Sequence, residues 1–173
     1  SNSPRSSLLL LVAPYKTSSL DAIIPDTSAM DNPTLGADGN VNSLTVESGG
    51  TISGMGWDII VHGEADGTGV TTVGYAVQFL DGSIIAGNLD FEIRTDSTTK
   101  MDFTPTTGEV RNLTINASGY TSQWFGNTTI SGDLTVTAGT FQPYSATYTL
   151  TVDGDGSVTG TLNDGTGTAA YTF

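Results

Sequence analysis

Two distant stretches of the chain carry the same eleven-residue pattern, LTVESGGTISG at residues 44–54 and LTVDGDGSVTG at residues 150–160. The two stretches align without a gap, and their residues agree in kind except that Ser48 and Gly49 align with Gly154 and Asp155. The first element returns as LTI at residues 113–115 and LTV at residues 134–136, and the second returns as TISG at residues 129–132. Each unit therefore places two apolar side chains on one side of a short segment, which a glycine-rich corner follows.

This alternation of apolar residues and Thr predicts short β-strands rather than helices, because successive side chains of a strand point to opposite faces. A single unit of this size cannot bury its apolar face alone, so several units must stack. We therefore predict an all-β protein built from β-solenoid-like repeats.

The middle of the chain favours antiparallel hairpins instead. Residues 71–80 are an apolar-rich run that ends at Asp81 and Gly82, a pair that strongly indicates a two-residue hairpin turn. Apolar and polar residues then alternate over residues 89–94 and 100–103, as in strands with one face in water. We therefore expect hairpins within the solenoid-like fold, with a β-sandwich or jelly roll as the alternative architecture.

Composition and charge restrict the classes of function. The chain has 173 residues, enough for one domain, with 29 Thr, 22 Gly and no Cys, so disulfides and thiolate sites are excluded. Its net charge is −13 and no basic residue follows Arg111, so phosphate backbones would be repelled. We expect no nucleic-acid binding. No apolar run approaches the roughly 20 residues of a membrane span, so we expect no membrane insertion.

Residues 1–40 differ from the repeats and predict an extended N-terminal arm, which one all-β domain at residues 41–173 follows. Prolines at positions 4, 14, 25 and 33 interrupt this segment and exclude a long regular strand. The apolar run of the arm consists of Leu8, Leu9, Leu10, Leu11, Val12 and Ala13. It is short for a signal peptide and no small-x-small cleavage site follows it.

The apolar run at residues 8–13 nevertheless requires burial, because each large side chain contributes roughly 1.5–3 kcal/mol when it leaves water. We expect it to be an assembly element that binds an adjacent subunit or extends that subunit's sheet. Packing of the arm on its own domain is the alternative.

Carboxylate pairs are the first candidates for glycoside chemistry, which needs two acids on either side of the scissile bond. Asp90 and Glu92 share one strand face, as do Asp153 and Asp155 in an extended segment. Solvated strand faces explain both pairs more simply. The Asp153 segment also resembles a calcium loop, but Leu162 stands where the closing carboxylate would be. We expect no catalytic, cofactor or metal site.

The remaining candidates are one histidine and a set of aromatic residues. His62 follows an apolar run and no nucleophile-elbow motif accompanies it, so a structural role at a strand end is expected. Four aromatic residues are candidates for a sugar-stacking platform or for core and interface anchors, namely Trp57, Trp124, Phe125 and Phe141.

Three N-glycosylation triplets begin at Asn112, Asn116 and Asn127. They matter only where the chain meets a glycosylation machinery. Chance triplets are expected in a sequence so rich in Thr, and this is the simpler explanation.

The sequence over residues 41–69 and 111–173 resembles the Thr/Gly-rich β-repeats of phage virion structural proteins, such as capsid decoration proteins. The patterns that carry this resemblance are LTV, TISG and GDLTVTAGT. The same sequence is also similar to repeats of prokaryotic surface filaments and adhesins. The resemblance carries no catalytic motif and implies a building part of a virion, usually a symmetric oligomer.

We therefore expect a non-enzymatic structural protein that decorates or cements a virion capsid and acts through subunit contacts. Its expected partners are copies of itself, with a trimer implied by the resemblance, and the major capsid protein. The alternative is an extracellular filament or adhesin subunit at a prokaryotic cell surface, and the third is a β-helix protein that binds or degrades polysaccharide.

Overall fold

The computed structural model describes residues 21–26, 34, 37–63, 74–164 and 170–172, and these form a three-sided parallel β-solenoid of about six turns. This part of the chain contains no helix, and so none that is long and apolar enough to cross a membrane. The strands are β1 (Asp21–Ile24), β2 (Gly39–Val41), β3 (Ser43–Val46), β4 (Thr51–Val61), β5 (Tyr75–Phe79), β6 (Ile84–Ile93), β7 (Thr99–Asp102), β8 (Leu113–Phe125), β9 (Thr128–Ile130), β10 (Leu134–Pro143), β11 (Thr149–Val152), β12 (Gly156–Val158), β13 (Thr161–Leu162) and β14 (Ala170–Thr172).

The chain winds through three faces, and each strand pairs with strands one turn before and after it. Face 1 contains β1, β3, β5, β7, the second halves of β8 and β10, and β13. Face 2 contains β2, the second halves of β4 and β6, the first halves of β8 and β10, and β12. Face 3 contains the first halves of β4 and β6, residues 107–110, β9, β11 and β14.

Inward-pointing side chains stack in columns along the solenoid axis. The column of face 2 consists, in register, of Val41, Val61, Ile93, Ile115, Val136 and Val158. The first five are buried, because neighbours in the column and residues of the other faces enclose them. β-Branched side chains suit such positions, since they pack well on a pleated surface.

Glycine allows the long strands to bend from one face to the next. Gly119 lies in the middle of β8 and Gly139 in the middle of β10, at the corner between faces 2 and 1 in successive turns. Both have a φ above +80°, a conformation that side chains with a Cβ rarely adopt. The corner therefore depends on glycine at these positions.

Turns differ in length, although the strands stack in register. Ile93 pairs with Ile115, 22 residues further on, whereas Val61 pairs with Ile93, 32 residues further on. Residues 64–73 of that longer turn lie outside the described part of the chain. The strands before and after the longer turn still pair in parallel and in register with the strands of neighbouring turns.

The predicted all-β class and β-solenoid are confirmed. The repeats mark strand–corner–strand units, but they do not mark one face. Residues 44–46 lie on face 1, residues 150–152 lie on face 3, and residues 113–115 and 134–136 lie in register on face 2. The same sequence pattern therefore occurs at different corners of the solenoid.

The predicted antiparallel hairpins and the β-sandwich alternative are wrong for the described strands, because every pairing among them is parallel. Asp81 and Gly82 form a corner between faces 1 and 3. The carbonyl of Gly82 accepts the backbone N–H of Gly49, which lies in the equivalent corner one turn earlier (3.2 Å). The corner therefore pairs with the previous turn, and the two strands that it joins enter different faces.

The apolar run of the predicted arm, residues 8–13, lies outside the described residues. Within residues 1–40, strand β1 pairs in parallel with β3, and β2 pairs in parallel with β4. These two strands form part of the first turn of the solenoid.

Candidate functional site

One polar side chain from each turn stands at the corner where the chain enters face 2. This corner ladder consists of Asp38, Asp58, Asp90, Asn112, Asp133 and Asp155. Each member lies three residues before an inward residue of the face 2 column, so the chain repeats Asp/Asn-x-x-Val/Ile six times. The sequence analysis missed the ladder, although this short repeat was the signal that could have found it.

The side chains of the ladder connect successive turns. Backbone N–H groups donate to them from Asp58 to Asp38 Oδ1 (3.0 Å), from Asn112 to Asp90 Oδ1 (3.1 Å), from Asp133 to Asn112 Oδ1 (2.9 Å) and from Asp155 to Asp133 Oδ1 (2.9 Å). Each of these side chains satisfies a backbone donor of the next corner. The ladder therefore stabilises the stacking of the corners.

The carboxylate of Asp58 lies near other acidic groups. Burial raises the pKa of Asp58, and the nearby charges of Asp38, Asp90 and Glu92 raise it further. Arg111 opposes this effect and donates two hydrogen bonds to Asp90, one of them from Nε at 2.8 Å. The side chain of Asp90 is only 7 % exposed, so Asp90 is the buried member of a partly exposed ion pair and does not lie on a solvated face.

The predicted carboxylate pair Asp90 and Glu92 is divided between two arginines. Arg94 donates two hydrogen bonds of 2.6 Å to Glu92, and Asn116 donates a third of 3.2 Å. Burial opposes ionisation of Glu92, but these hydrogen bonds outweigh it and lower its pKa. A general acid that works near neutral pH needs a raised pKa. The lowered pKa of Glu92 therefore makes it unsuited to that role.

The second predicted pair, Asp153 and Asp155, lies at the corner between faces 3 and 2, and both residues are exposed. The backbone N–H of Asp155 donates to Asp133, and the intervening Gly154 donates to the carbonyl of Gly132 at 3.0 Å. The segment is thus held to the previous turn by its backbone. Among the residues that the structure describes, no group of three or more His, Asp or Glu is placed to hold a metal ion.

His62 lies directly after strand β4, as the sequence predicted. Its Nε2 atom is 3.0 Å from Asn40 Oδ1, and its backbone N–H donates to the carbonyl of Val41 at 2.9 Å. These contacts fix the end of β4 to the previous turn of the solenoid.

The four predicted aromatic candidates do not form one platform. Trp124 and Phe141 are buried in the core, with ring centroids 4.6 Å apart. Trp57 is exposed and precedes Asp58 at the corner of the ladder. Phe125 instead belongs to a different cluster on the outer side of face 1, most of whose members the sequence analysis missed.

This cluster, which we call the aromatic patch, consists of Tyr75, Lys100, Phe125, Tyr144 and Tyr148. The rings of Phe125 and Tyr144 are stacked, with centroids 4.1 Å apart and an interplanar angle of 23°. Phe125 also lies 5.3 Å from Tyr75 and 6.0 Å from Tyr148. The patch therefore joins ring faces from several turns.

The ammonium group of Lys100 lies at the centre of the aromatic patch. Its Nζ atom is 5.8 Å from the ring centroid of Tyr75, 5.5 Å from that of Phe125 and 4.9 Å from that of Tyr144. A cation at these distances is attracted by the negative faces of the rings. Burial raises the pKa of Tyr75, as do the charge of Asp102 and the neighbouring tyrosines.

Amide side chains continue the patch along face 1. Gln123 and Gln142 stand in register with Lys100 in the following two turns, and Gln78 stands in register with Asp102. All three glutamines are half-buried. Rings, amides and one ammonium group thus share one outward surface.

Two of the three glycosylation triplets place their asparagine in the corner contacts. Asn112 belongs to the ladder, and Asn127 Oδ1 accepts the backbone N–H of Thr149 at 3.1 Å. Asn116 is exposed, and its amide donates to Glu92. All three side chains therefore have partners in the fold.

No protein-family model, curated protein or solved structure matches this chain.

Proposed function

We propose that the protein is a non-enzymatic structural protein that acts through contacts between subunits, and that it decorates or cements a virion capsid. The observation that carries the proposal is an exposed apolar residue in the last described turn of the solenoid. Val158 continues the buried column of face 2, yet its side chain is 46 % exposed. All three residues of its strand, β12, are exposed.

The first described turn differs from the last in this respect. Ile24 and Val41 of the first described turn are buried. Repeat proteins need a cover at the ends of their apolar columns, and free strand edges pair readily with other strands. A second copy of the chain, or the major capsid protein, would bury Val158 and pair with β12.

The virion assignment is supported by the resemblance of the repeats to phage structural proteins. A filament or adhesin subunit of a prokaryotic surface has the same need for subunit contacts. Neighbouring genes separate these two functions: capsid, portal and terminase genes support the virion protein, whereas pilin-export or secretion genes support the filament. Saturable hydrolase or lyase activity on a polysaccharide would instead establish an enzyme, provided that a carboxylate variant lacks this activity.

The contact at Val158 is tested with a charge placed on each side of β12. Val158→Asp introduces a carboxylate on the inward side of the strand, and Ser157→Asp introduces the same charge on the outward side. We expect the wild-type protein and Ser157→Asp to form the same oligomer, a trimer, in light scattering over a concentration series. Val158→Asp should shift the distribution to monomers, provided that circular dichroism shows an unchanged fold.

A wild-type protein that stays monomeric at every concentration, both alone and with purified capsids, would contradict the proposed subunit contacts. The virion assignment is tested separately by mass spectrometry of purified particles. Absence of the protein from particles, together with its presence on uninfected cells, would favour the filament or adhesin.

A further inference from the structure

We propose that the aromatic patch on face 1 is a binding site for a neutral oligosaccharide that lies along the solenoid axis. The inference goes beyond the proposed structural function, and it depends on the outer side of face 1 rather than on the exposed strand β12. It starts from the exposure of the rings. Tyr144 is 50 % exposed and Tyr75 is 36 % exposed, and both belong to the same cluster.

Clustering distinguishes these residues from ordinary exposed apolar residues, which are common when they occur singly. Phe125, Tyr144 and Tyr75 come from different turns, yet their rings lie in contact. Rigid rings held in this way lose little conformational entropy when a ligand binds. The patch is therefore preorganised for a ligand that stacks on ring faces.

The surroundings of the rings indicate a ligand rich in hydroxyl groups. Gln78, Gln123 and Gln142 supply amide donors and acceptors beside the rings, and Lys100 supplies further donors. A sugar ring has an apolar C–H side that can stack on an aromatic face and hydroxyl groups at its edge that can pair with amides. An apolar partner surface would leave the amides without hydrogen bonds, at a cost in affinity.

Charge favours a neutral sugar over an acidic one. The chain has a net charge of −13, and the carboxylate of Asp102 lies near the ring of Tyr75. Lys100 is the one cationic side chain described in the patch, and its ammonium group lies over three rings. A polyanionic chain would meet repulsion along most of the surface.

The extent of the patch favours an oligosaccharide over a single sugar. Four of its five members come from β5, β7 and β8 and from the residue after β10, which are four successive strands of face 1. The fifth, Tyr148, directly precedes β11. Neighbouring strands lie about 4.8 Å apart, so three steps span about 14 Å along the axis. The ligand would therefore cross several turns and contact one ring or amide in each.

The experiment uses the full chain and a panel of neutral hexasaccharides with glucose, mannose, galactose and N-acetylglucosamine units, with an oligogalacturonate as the acidic probe. Binding is measured by isothermal titration calorimetry, and contact is measured by saturation-transfer difference NMR. We expect at least one neutral probe to bind. Tyr144→Ala should weaken its affinity roughly three- to tenfold, the usual scale of one aromatic stacking contact, while Tyr144→Phe should retain it.

Tyr120→Ala is the matched control, because Tyr120 is similarly exposed but lies at the corner between faces 2 and 1, outside the patch. It should leave the affinity unchanged. The proposal is overturned if no neutral probe binds at millimolar concentration, if only the acidic probe binds, or if Tyr120→Ala and Tyr144→Ala weaken binding equally. These results are independent of the oligomer measured for Val158→Asp.

Discussion

Asp133 Oδ1 accepts the backbone N–H of Asp155, one turn further along the solenoid, at 2.9 Å. Asn112 Oδ1 accepts the backbone N–H of Asp133 at the same distance, one turn earlier. A carboxylate and a carboxamide thus make the same contact at equivalent corners. The acceptor oxygen is therefore the essential feature of the ladder, and the negative charge is not.

The first prediction concerns this acceptor. Asp133→Ala removes the hydrogen bond to Asp155 and should lower the free energy of unfolding by about 1 kcal/mol, the usual net contribution of one such bond. Asp133→Asn keeps an acceptor oxygen at the same place and should leave stability close to that of the wild type. Urea denaturation at pH 7 measures the free energy of unfolding of both variants. An equal loss of stability in the two would show that the negative charge, and not the hydrogen-bond acceptor, stabilises the corner.

The second prediction concerns pH. The pKa of Asp58 is raised in the folded protein, so its ionised form destabilises the fold above that pKa. Asp58→Asn should increase stability at pH 7 by about 0.5 kcal/mol, as expected when a like charge is removed from neighbouring strands. The gain should diminish as the pH falls through the raised pKa and vanish below the ordinary value of 3.8.

Glu92 provides the opposite case for the same pH series. Its pKa is lowered in the folded protein, so its ionisation stabilises the fold above 4.5, and this stabilisation is lost as the pH falls through the lowered pKa. Glu92→Gln should therefore reduce stability at pH 7 and approach the wild type in acid. Parallel pH profiles for the two variants would contradict the assigned shifts.

The third prediction compares two glycines with the same backbone conformation. Gly119 has a φ of +82° and no atom within 4 Å of a Cβ built on it, whereas a Cβ on Gly139 (φ +84°) would collide with the carbonyl group of Ala117. Gly119→Ala should cost about 1–2 kcal/mol, the penalty of the left-handed conformation alone. Gly139→Ala should cost about 1–3 kcal/mol more because of the collision.

Thermal and urea unfolding of these two alanine variants distinguishes conformational strain from steric conflict. An equal loss at both positions would mean that β10 shifts to accept the methyl group. In that case the close approach of Gly139 to Ala117 would not be essential for the corner.

The fourth prediction concerns the proposed assembly arm. Deletion of residues 1–16 removes the apolar run at residues 8–13. The truncated protein should keep its β-type circular dichroism spectrum but lose assembly in light scattering, because the run would bind an adjacent subunit. Unfolding of the truncated protein, or normal assembly, would refute an intermolecular arm.

The strands could be predicted from the sequence because alternation and glycine corners are local signals. The partner of each strand could not. Asp81 and Gly82 have the residue types of a hairpin turn, and residue types alone do not tell whether the next strand folds back or enters a new face. Hydrogen bonds to the corner one turn earlier determine that choice, and they connect residues more than 30 positions apart, such as Gly49 and Gly82.

The same limit applies to the aromatic patch. Tyr75 and Phe125 are 50 residues apart in sequence, and their contact depends on the lengths of the turns between them. Those lengths vary, so the sequence alone does not show which outward side chains lie next to each other in neighbouring turns. The ladder was more accessible, because its Asp/Asn-x-x-Val/Ile spacing keeps each polar residue at a fixed distance from the inward residue of its own turn.

The long turn between Val61 and Ile93 has a consequence for the dimensions of the molecule. Strand hydrogen bonds set the advance along the axis at about 4.8 Å for each turn, whether the turn has 22 residues or 32. Length along the axis therefore depends on the number of turns and not on the number of residues in each turn. A peptide inserted between residues 63 and 74 should therefore leave the axial length of the described turns unchanged.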